Sequence, residues 1–275
     1  MVVFNNSKKV AWLILVCCII LLPSCNKEKI PQDMTFLLPE GSECIEIINA
    51  DSLSWNTPYI FRPFYDGHPA IIANNYLTVI DDTLSSPIPL SIDHIISDIH
   101  WIERGCFFSA DSTIFYGGDD GKMHPLVVSD RKIDLFCVSN NRILFPVDSS
   151  IVEYIFESNE VTPIVQVNSP IHHLIQETSS IFFSAGNDLF LYYSNELYHL
   201  FCSDSEIISF AIHPSGSIFL GSEKGLSFLT PEYKKIDIAS IPIRDLTLIG
   251  DDLFVIFKDN SSIMLTNVSQ FNNLF

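Results

Sequence analysis

The sequence predicts an all-β fold, a six-bladed β-propeller of four-stranded blades. Three observations carry that prediction. First, past residue 30 the chain is a succession of short apolar runs rich in Ile, Phe, Val, Thr and Tyr, separated by clusters of Gly, Pro, Asn, Asp and Ser. Runs of this kind between turn clusters are strands. Second, an isoleucine opens the leading run of six successive units, Ile60, Ile96, Ile133, Ile171, Ile207 and Ile243, at steps of 36, 37, 38, 36 and 36. A period of this length with several strands per unit means repetition, and radial repetition of four-stranded sheets leaves only short, protected edges. A β-sandwich with fortuitous spacing is the alternative, and five near-equal steps argue against it. Third, no stretch past residue 30 keeps apolar residues at i, i+3, i+4 and i+7 for three turns, so helices are not expected.

The chain opens with a basic start holding Lys8 and Lys9, an apolar run Val10–Leu22, and then Leu22-Pro23-Ser24-Cys25. A basic start, a short apolar core and a small residue before the cut describe a secretory signal. The run falls short of the roughly 20 residues of a membrane-spanning helix. Leu22-Pro23-Ser24-Cys25 resembles a bacterial lipobox, with Leu three places and a small residue one place before the Cys; Pro23 departs from the usual pattern. The resemblance implies that residues 1–24 are a lipoprotein signal peptide and that Cys25 is lipidated and begins the mature chain. Several acyl chains, palmitate among them, would then anchor the protein stably to a membrane. The alternative is an ordinary signal or anchor helix with an incidental Cys. Asn26 is not the Asp associated with inner-membrane retention, and the charged Lys27-Glu28-Lys29 resembles an export tag of surface lipoproteins. Together these imply the cell envelope, at the outer membrane, on its periplasmic or surface side. Residues 25–42 read as a tether, reaching roughly 55–60 Å if extended, and residues 43–275 as the propeller.

The units follow. The clearest is Ile207–Ile238, where turns at His213–Gly216, Glu223–Gly225 and Thr230–Glu232 separate four short strands. In every unit a turn follows the leading strand, and second and third strands come after it, for example Cys106–Ala110 and Thr113–Tyr116, or Ile181–Ser184 and Leu189–Tyr193. The fourth place of the leading strand is apolar too: Ile99, Phe136, Leu174, Phe210 and Leu246, with Pro63 the exception. The sixth unit lacks a fourth strand. Cys44–Ala50 has no unit of its own and is expected to supply it, which closes the ring; Phe271–Phe275 is the rival. Ser215-Gly216, Gly221-Ser222 and Gly225-Leu226 resemble repeats of the two-component-regulator-propeller and NHL type. That resemblance implies a propeller, and members include sensors, binding scaffolds and some enzymes, so it does not by itself fix function.

The 275 residues are 47% hydrophobic, enough for a large core, and carry a formal net charge of −18. Removal of residues 1–24 takes away two lysines and no acid, which makes the charge −20. So acidic a surface repels phosphate backbones, which excludes nucleic acid as a partner. Four cysteines follow Cys25, namely Cys44, Cys106, Cys137 and Cys202. An exported chain permits two disulfides with three pairings, but three of the four lie in apolar strands and read as buried small hydrophobes.

Candidate chemistry sits on the leading strands, which line a propeller's channel. Their third place holds Arg62, Asp98, Leu135, His173, Ser209 and Asp245, an ionisable set on strands otherwise apolar. Arg62, Asp98, His173 and Asp245 are therefore the candidate ligand-binding residues, with His100 and His172 beside them. Asp98, His173 and Asp245 have the chemistry to bind a divalent cation; alternatively Arg62 merely neutralises Asp98 or Asp245. Six-bladed lactonases hold a metal in this channel, but no set of their ligands transfers to this sequence. No GxSxG, HExxH, GxGxxG or Walker motif is present. Adjacent His172 and His173 point to opposite faces of a strand, and Asp119-Asp120-Gly121 lacks the ligand spacing of a calcium loop. No catalytic residues are assigned and no cofactor is expected beyond that cation. The reading is an envelope-anchored module that binds or senses a small molecule or a protein. A channel-metal hydrolase of lactonase type and a structural envelope component are the alternatives.

Overall fold

The computed structural model describes residues 36–48, 59–73, 75–80, 88–89, 95–118, 122–139 and 141–274. The expected signal peptide and Cys25, most of the expected tether, and Asp119-Asp120-Gly121 lie outside the described residues. Six four-stranded antiparallel sheets form the blades. From the channel outward, blade one is Tyr59–Pro63, Pro69–Ala73, Tyr76–Val79 and Ile88–Pro89. Blade two is Ile96–Ile102, Gly105–Ala110, Thr113–Gly118 and Met123–Val128. Blade three is Cys137–Val138, Arg142–Val147, Ser150–Ile155 and Glu160–Gln166. Blade four is Ile171–Glu177, Ser180–Ala185, Asp188–Tyr193 and Glu196–Cys202. Blade five is Ile207–Ile212, Ile218–Ser222, Gly225–Leu229 and Lys235–Ala239. Blade six is Ile243–Ile249, Asp252–Phe257 and Ser262–Leu265, with Cys44–Ile48 from the start of the chain as its outer strand.

That borrowed strand pairs Cys44 with Leu265, Ile45 with Met264 and Glu46 with Ile263. The rival segment is a 3-10 helix, Val268–Leu274. Its Phe271 is fully buried and packs against the rings of Phe219 and Phe228 at 5.5 and 5.6 Å. Burying one ring of this size stabilises by about 1.5–3 kcal/mol, which holds this segment off the sheet edge. Residues 36–42 also touch the blades: Leu37 N donates to Ile238 O and Ser42 Oγ to Asn267 O.

The core lies between blades. Leu144, Ile151, Leu174 and Phe183 from blades three and four form one cluster, and Leu189, Ile207, Phe210 and Leu220 from blades four and five another. Both faces of a blade are therefore covered, which explains apolar runs without strict alternation. Space at these contacts is tight. A Cβ on Gly221 of blade five would meet Ile243 Cγ2 of blade six at 2.6 Å.

The inner strands begin at the expected isoleucine in blades two, four, five and six, and in each the ladder slips between the first and third places, as at Ile96/Asp98 and Ile243/Asp245. A bulge re-aims side chains. Places one and four can then both be buried while places three and five face the channel, an arrangement that a regular strand of period two forbids. Two expectations are corrected here. In blade one Tyr59 pairs with Ala73, as Ile96 pairs with Ala110, so Tyr59 rather than Ile60 leads. No slip follows, so Arg62, the fourth residue, pairs with Ala70 as His100 pairs with Phe107 and stands level with the fifth place of the bulged strands. In blade three Ile133 is buried and its N–H donates to Asp111 O at 2.8 Å, but the ladder starts only at Cys137.

Candidate functional site

The third and fifth places surround the channel. Arg62 of blade one is the hub. Its Nε donates to Asp98 Oδ1 at 2.6 Å, and its Nη1 to Asp245 Oδ2 at 3.2 Å, Thr247 Oγ1 at 3.2 Å and Phe61 O at 2.7 Å. Asp98, 2% exposed, is fully engaged. Oδ1 also accepts the Ile99 N–H at 2.9 Å, and Oδ2 accepts the Phe136 N–H at 3.1 Å from blade three. The Phe136 amide is available because that residue stands outside the ladder. On the other flank, Asp245 Oδ1 accepts from Ser209 Oγ of blade five at 3.0 Å and from the Leu246 N–H at 2.9 Å. Leu246 N also donates to Ser209 Oγ at 3.1 Å. Side-chain links thus run unbroken from blade five through six, one and two to three, and Cys137 Sγ of blade three extends them more weakly to Leu174 O of blade four at 3.4 Å.

Blade four differs. His173 packs its ring edge-on against Phe210, with centroids 5.0 Å apart, and its buried Nδ1 has no hydrogen-bond partner. Gln176 Oε1 is also buried and unpartnered. His172 points elsewhere, its Nε2 lying 2.8 Å from Glu206 Oε1. Beside the ring lies a cavity of about 340 Å³. Arg62, Asp98, His100, His173, Gln176 and Thr247 give it polar character, and Phe136, Leu174, Phe210 and Leu246 give it apolar walls. Asp245 is not among its lining residues and reaches it through Arg62.

The four candidate residues therefore divide. Arg62, Asp98 and Asp245 are in direct contact, and His173 stands on the opposite, blade-four side. The sequence places His100 beside the candidates, and the structure adds Gln176 and Thr247. His100 and Thr247 occupy the fifth place, two residues beyond the third, and strand periodicity is the signal that finds them.

Burial would lower the Arg62 pKa, but the Asp98 and Asp245 carboxylates outweigh it and hold the guanidinium above its ordinary value, so it stays charged. Burial pushes His173 down to about 4 despite the pull of Asp245, so its ring is neutral at pH 7. Burial likewise lowers His100, whose Nε2 lies 2.6 Å from Phe136 O. That contact requires the proton on Nε2 and leaves Nδ1 as a lone pair. The Cys137 thiol is pushed up to about 12 by burial and is no nucleophile. Cys44, Cys106 and Cys137 are half-buried free thiols and Cys202 is exposed, so the reading of buried small hydrophobes holds only in part. Among the described residues no three His, Cys, Asp or Glu side chains converge to hold a metal ion. The guanidinium of Arg62 fills the space between Asp98 and Asp245 that a cation would take.

No known protein family and no curated protein matches the sequence. Among solved structures, the extracellular domain of a candidate one-component system from B. thetaiotaomicron shares 12% identity at a TM-score of 0.58, over 84% of this chain and 40% of that one. This chain thus spans well under half of that protein. A candidate gluconolactonase shares 11% identity at 0.61, over 85% of this chain and 97% of that one. A catalytically inactive variant of virginiamycin B lyase from Staphylococcus aureus, with quinupristin, shares 10% at 0.59, over 82% and 99%. At these identities the likeness is one of fold, the propeller.

Proposed function

We propose that this protein is an envelope lipoprotein whose propeller binds or senses a small molecule in its central channel. Residues 1–24 direct export, Cys25 carries the lipid, and the outer membrane holds the chain. Arg62, held by Asp245, and Asp98 build one wall of the site and His173 the facing wall. The observation that carries this reading is the cavity itself. It is of small-molecule size, mostly apolar with a few convergent polar groups, and buried polar atoms beside it lack partners. The solved neighbour described as an extracellular domain supports a place outside the cytoplasm by analogy of fold alone.

A channel hydrolase remains the second reading, favoured by the lyase and gluconolactonase neighbours. Against it stands Arg62, which takes the place of a Lewis acid between the two carboxylates, and the neutral, protonated Cys137.

Two measurements test the proposal. Mass spectrometry of the full chain expressed in a Gram-negative host should find Cys25 N-terminal and acylated; an unmodified Cys25 overturns the anchor. Small-molecule extracts of envelopes should raise the melting temperature of the full-length protein but not of Ala211→Phe, which fills the cavity. Equal shifts in both would overturn the channel as the site.

A further inference from the structure

We propose that the channel cavity selects an uncharged ligand that pairs an apolar body with a hydroxyl or amide group, and that it rejects carboxylates and ammonium ions of the same shape. This rests on the channel being the binding site. Three features of the wall lead to it.

The first is charge. One guanidinium, Arg62, faces two carboxylates, Asp98 and Asp245, so the ring is negative by one unit. His100 and His173 add no charge at neutral pH. An anion that reaches the guanidinium finds its charge already more than offset by the two carboxylates, in a chain at −18. The second is accessibility. Neither carboxylate is open to a cation. Asp98 is 2% exposed with both oxygens engaged, Asp245 lies behind Arg62, and the group an incoming ammonium meets first is the guanidinium. Two like charges about 4 Å apart repel by several kcal/mol at the dielectric of a protein surface.

The third is the pattern of unused donors and acceptors. Arg62 Nη2 has no protein acceptor among the described residues, so the wall offers donors there. His100 Nδ1 is a lone pair because Nε2 donates to Phe136 O. On the blade-four side the buried atoms without partners, His173 Nδ1 and Gln176 Oε1, accept when the His173 proton sits on Nε2. A wall with one donor group and several acceptors suits a group that both donates and accepts. A hydroxyl or an amide does both; a carboxylate, which only accepts, leaves every acceptor unmet. The rings of Phe136 and Phe210 with Leu174 and Leu246 complete the contact for an apolar body.

The test uses three probes of one shape, 2-phenylethanol, phenylacetate and 2-phenylethylammonium, titrated at pH 7 into the full chain in detergent. The imidazole signals of His100 and His173 are followed by NMR. The alcohol should shift both signals saturably, and each ion should bind at least about tenfold more weakly, a difference of ~1.4 kcal/mol. Ala211→Phe should abolish the response; should that variant fail to fold, Leu135→Phe, which lines the same cavity from blade three, serves. Binding of either ion as tightly as the alcohol overturns the proposal, as does silence of all three probes. The envelope-extract experiment then distinguishes the failures. An extract that still stabilises the wild-type protein alone means that the ligand class is wrong and the channel site stands.

Discussion

The channel has two unlike sides. From blade five round to blade three, each inner strand hands a hydrogen bond to its neighbour through Ser209, Asp245, Arg62 and Asp98. At blade four the links thin to a weak thiol bond, Cys137 Sγ to Leu174 O at 3.4 Å, and a half-buried neutral histidine faces a cavity. The comparison teaches that a propeller can divide its channel between holding the ring together and leaving a place for something else. The braced side has its carboxylates satisfied inside the protein and keeps only Arg62 Nη2 and His100 Nδ1 for a ligand. The open side has buried acceptors still unmet, which is where binding energy is available.

The largest effect expected from breaking this contrast is at Arg62. Arg62→Met leaves two carboxylates facing one another with no cation, and loss of one member of a buried ion pair costs about 3–5 kcal/mol. Urea unfolding should show this as a lower midpoint. A loss under about 1 kcal/mol, the scale of an exposed pair, would mean that the brace is solvated. Next is the pH dependence of the open side. His173 has its folded pKa depressed to about 4 from an ordinary 6.5, so the unfolded chain binds the proton first. The stability this contributes is present above pH 6.5 and is lost as pH falls towards 4, amounting to roughly 2–3 kcal/mol. His173→Leu should flatten that stretch of the stability profile while changing stability at pH 7 by less than about 1.5 kcal/mol. An unchanged profile would show that His173 titrates normally.

A smaller effect is expected at Ser209, which links blades five and six. Ser209→Ala removes one hydrogen bond to Asp245 and should cost about 1–2 kcal/mol, since the acceptor is charged. Outside the channel, Gly221→Ala tests the blade contact. A Cβ 2.6 Å from Ile243 Cγ2 forces the strands apart and should cost about 1–3 kcal/mol with no change in the His173 profile.

Much of this architecture is readable in the sequence because the same physics repeats. A blade cannot bury its faces alone, so each unit repeats the apolar first and fourth places, and Ile96 to Ile99 or Ile243 to Leu246 declares it. The closing strand is legible because Cys44–Ile48 is an apolar run with no unit to join. What escapes is register. The spacing of three between buried places is itself a sign of a bulge, but in blade one Tyr59 takes the leading place and no bulge forms, so Arg62, the fourth residue, comes level with the fifth place of the other blades. In blade three the Phe136 amide bonds a side chain, Asp98, instead of a neighbouring strand, and a long-range choice of that kind leaves no local trace. Thr247 is missed for a simpler reason: it lies two residues beyond Asp245, in the fifth place. The polarity of the channel is legible; which of its groups satisfy one another depends on which blades face across it.

The contrast between the two sides is tested most directly by double-mutant cycles on the full-length protein at pH 7. Arg62→Met with Asp98→Asn should show a coupling of about 2 kcal/mol or more, while Arg62→Met with His173→Leu should be additive within about 0.5 kcal/mol. Coupling of equal size in both cycles would mean that blade four belongs to the brace, and that the channel has no open side.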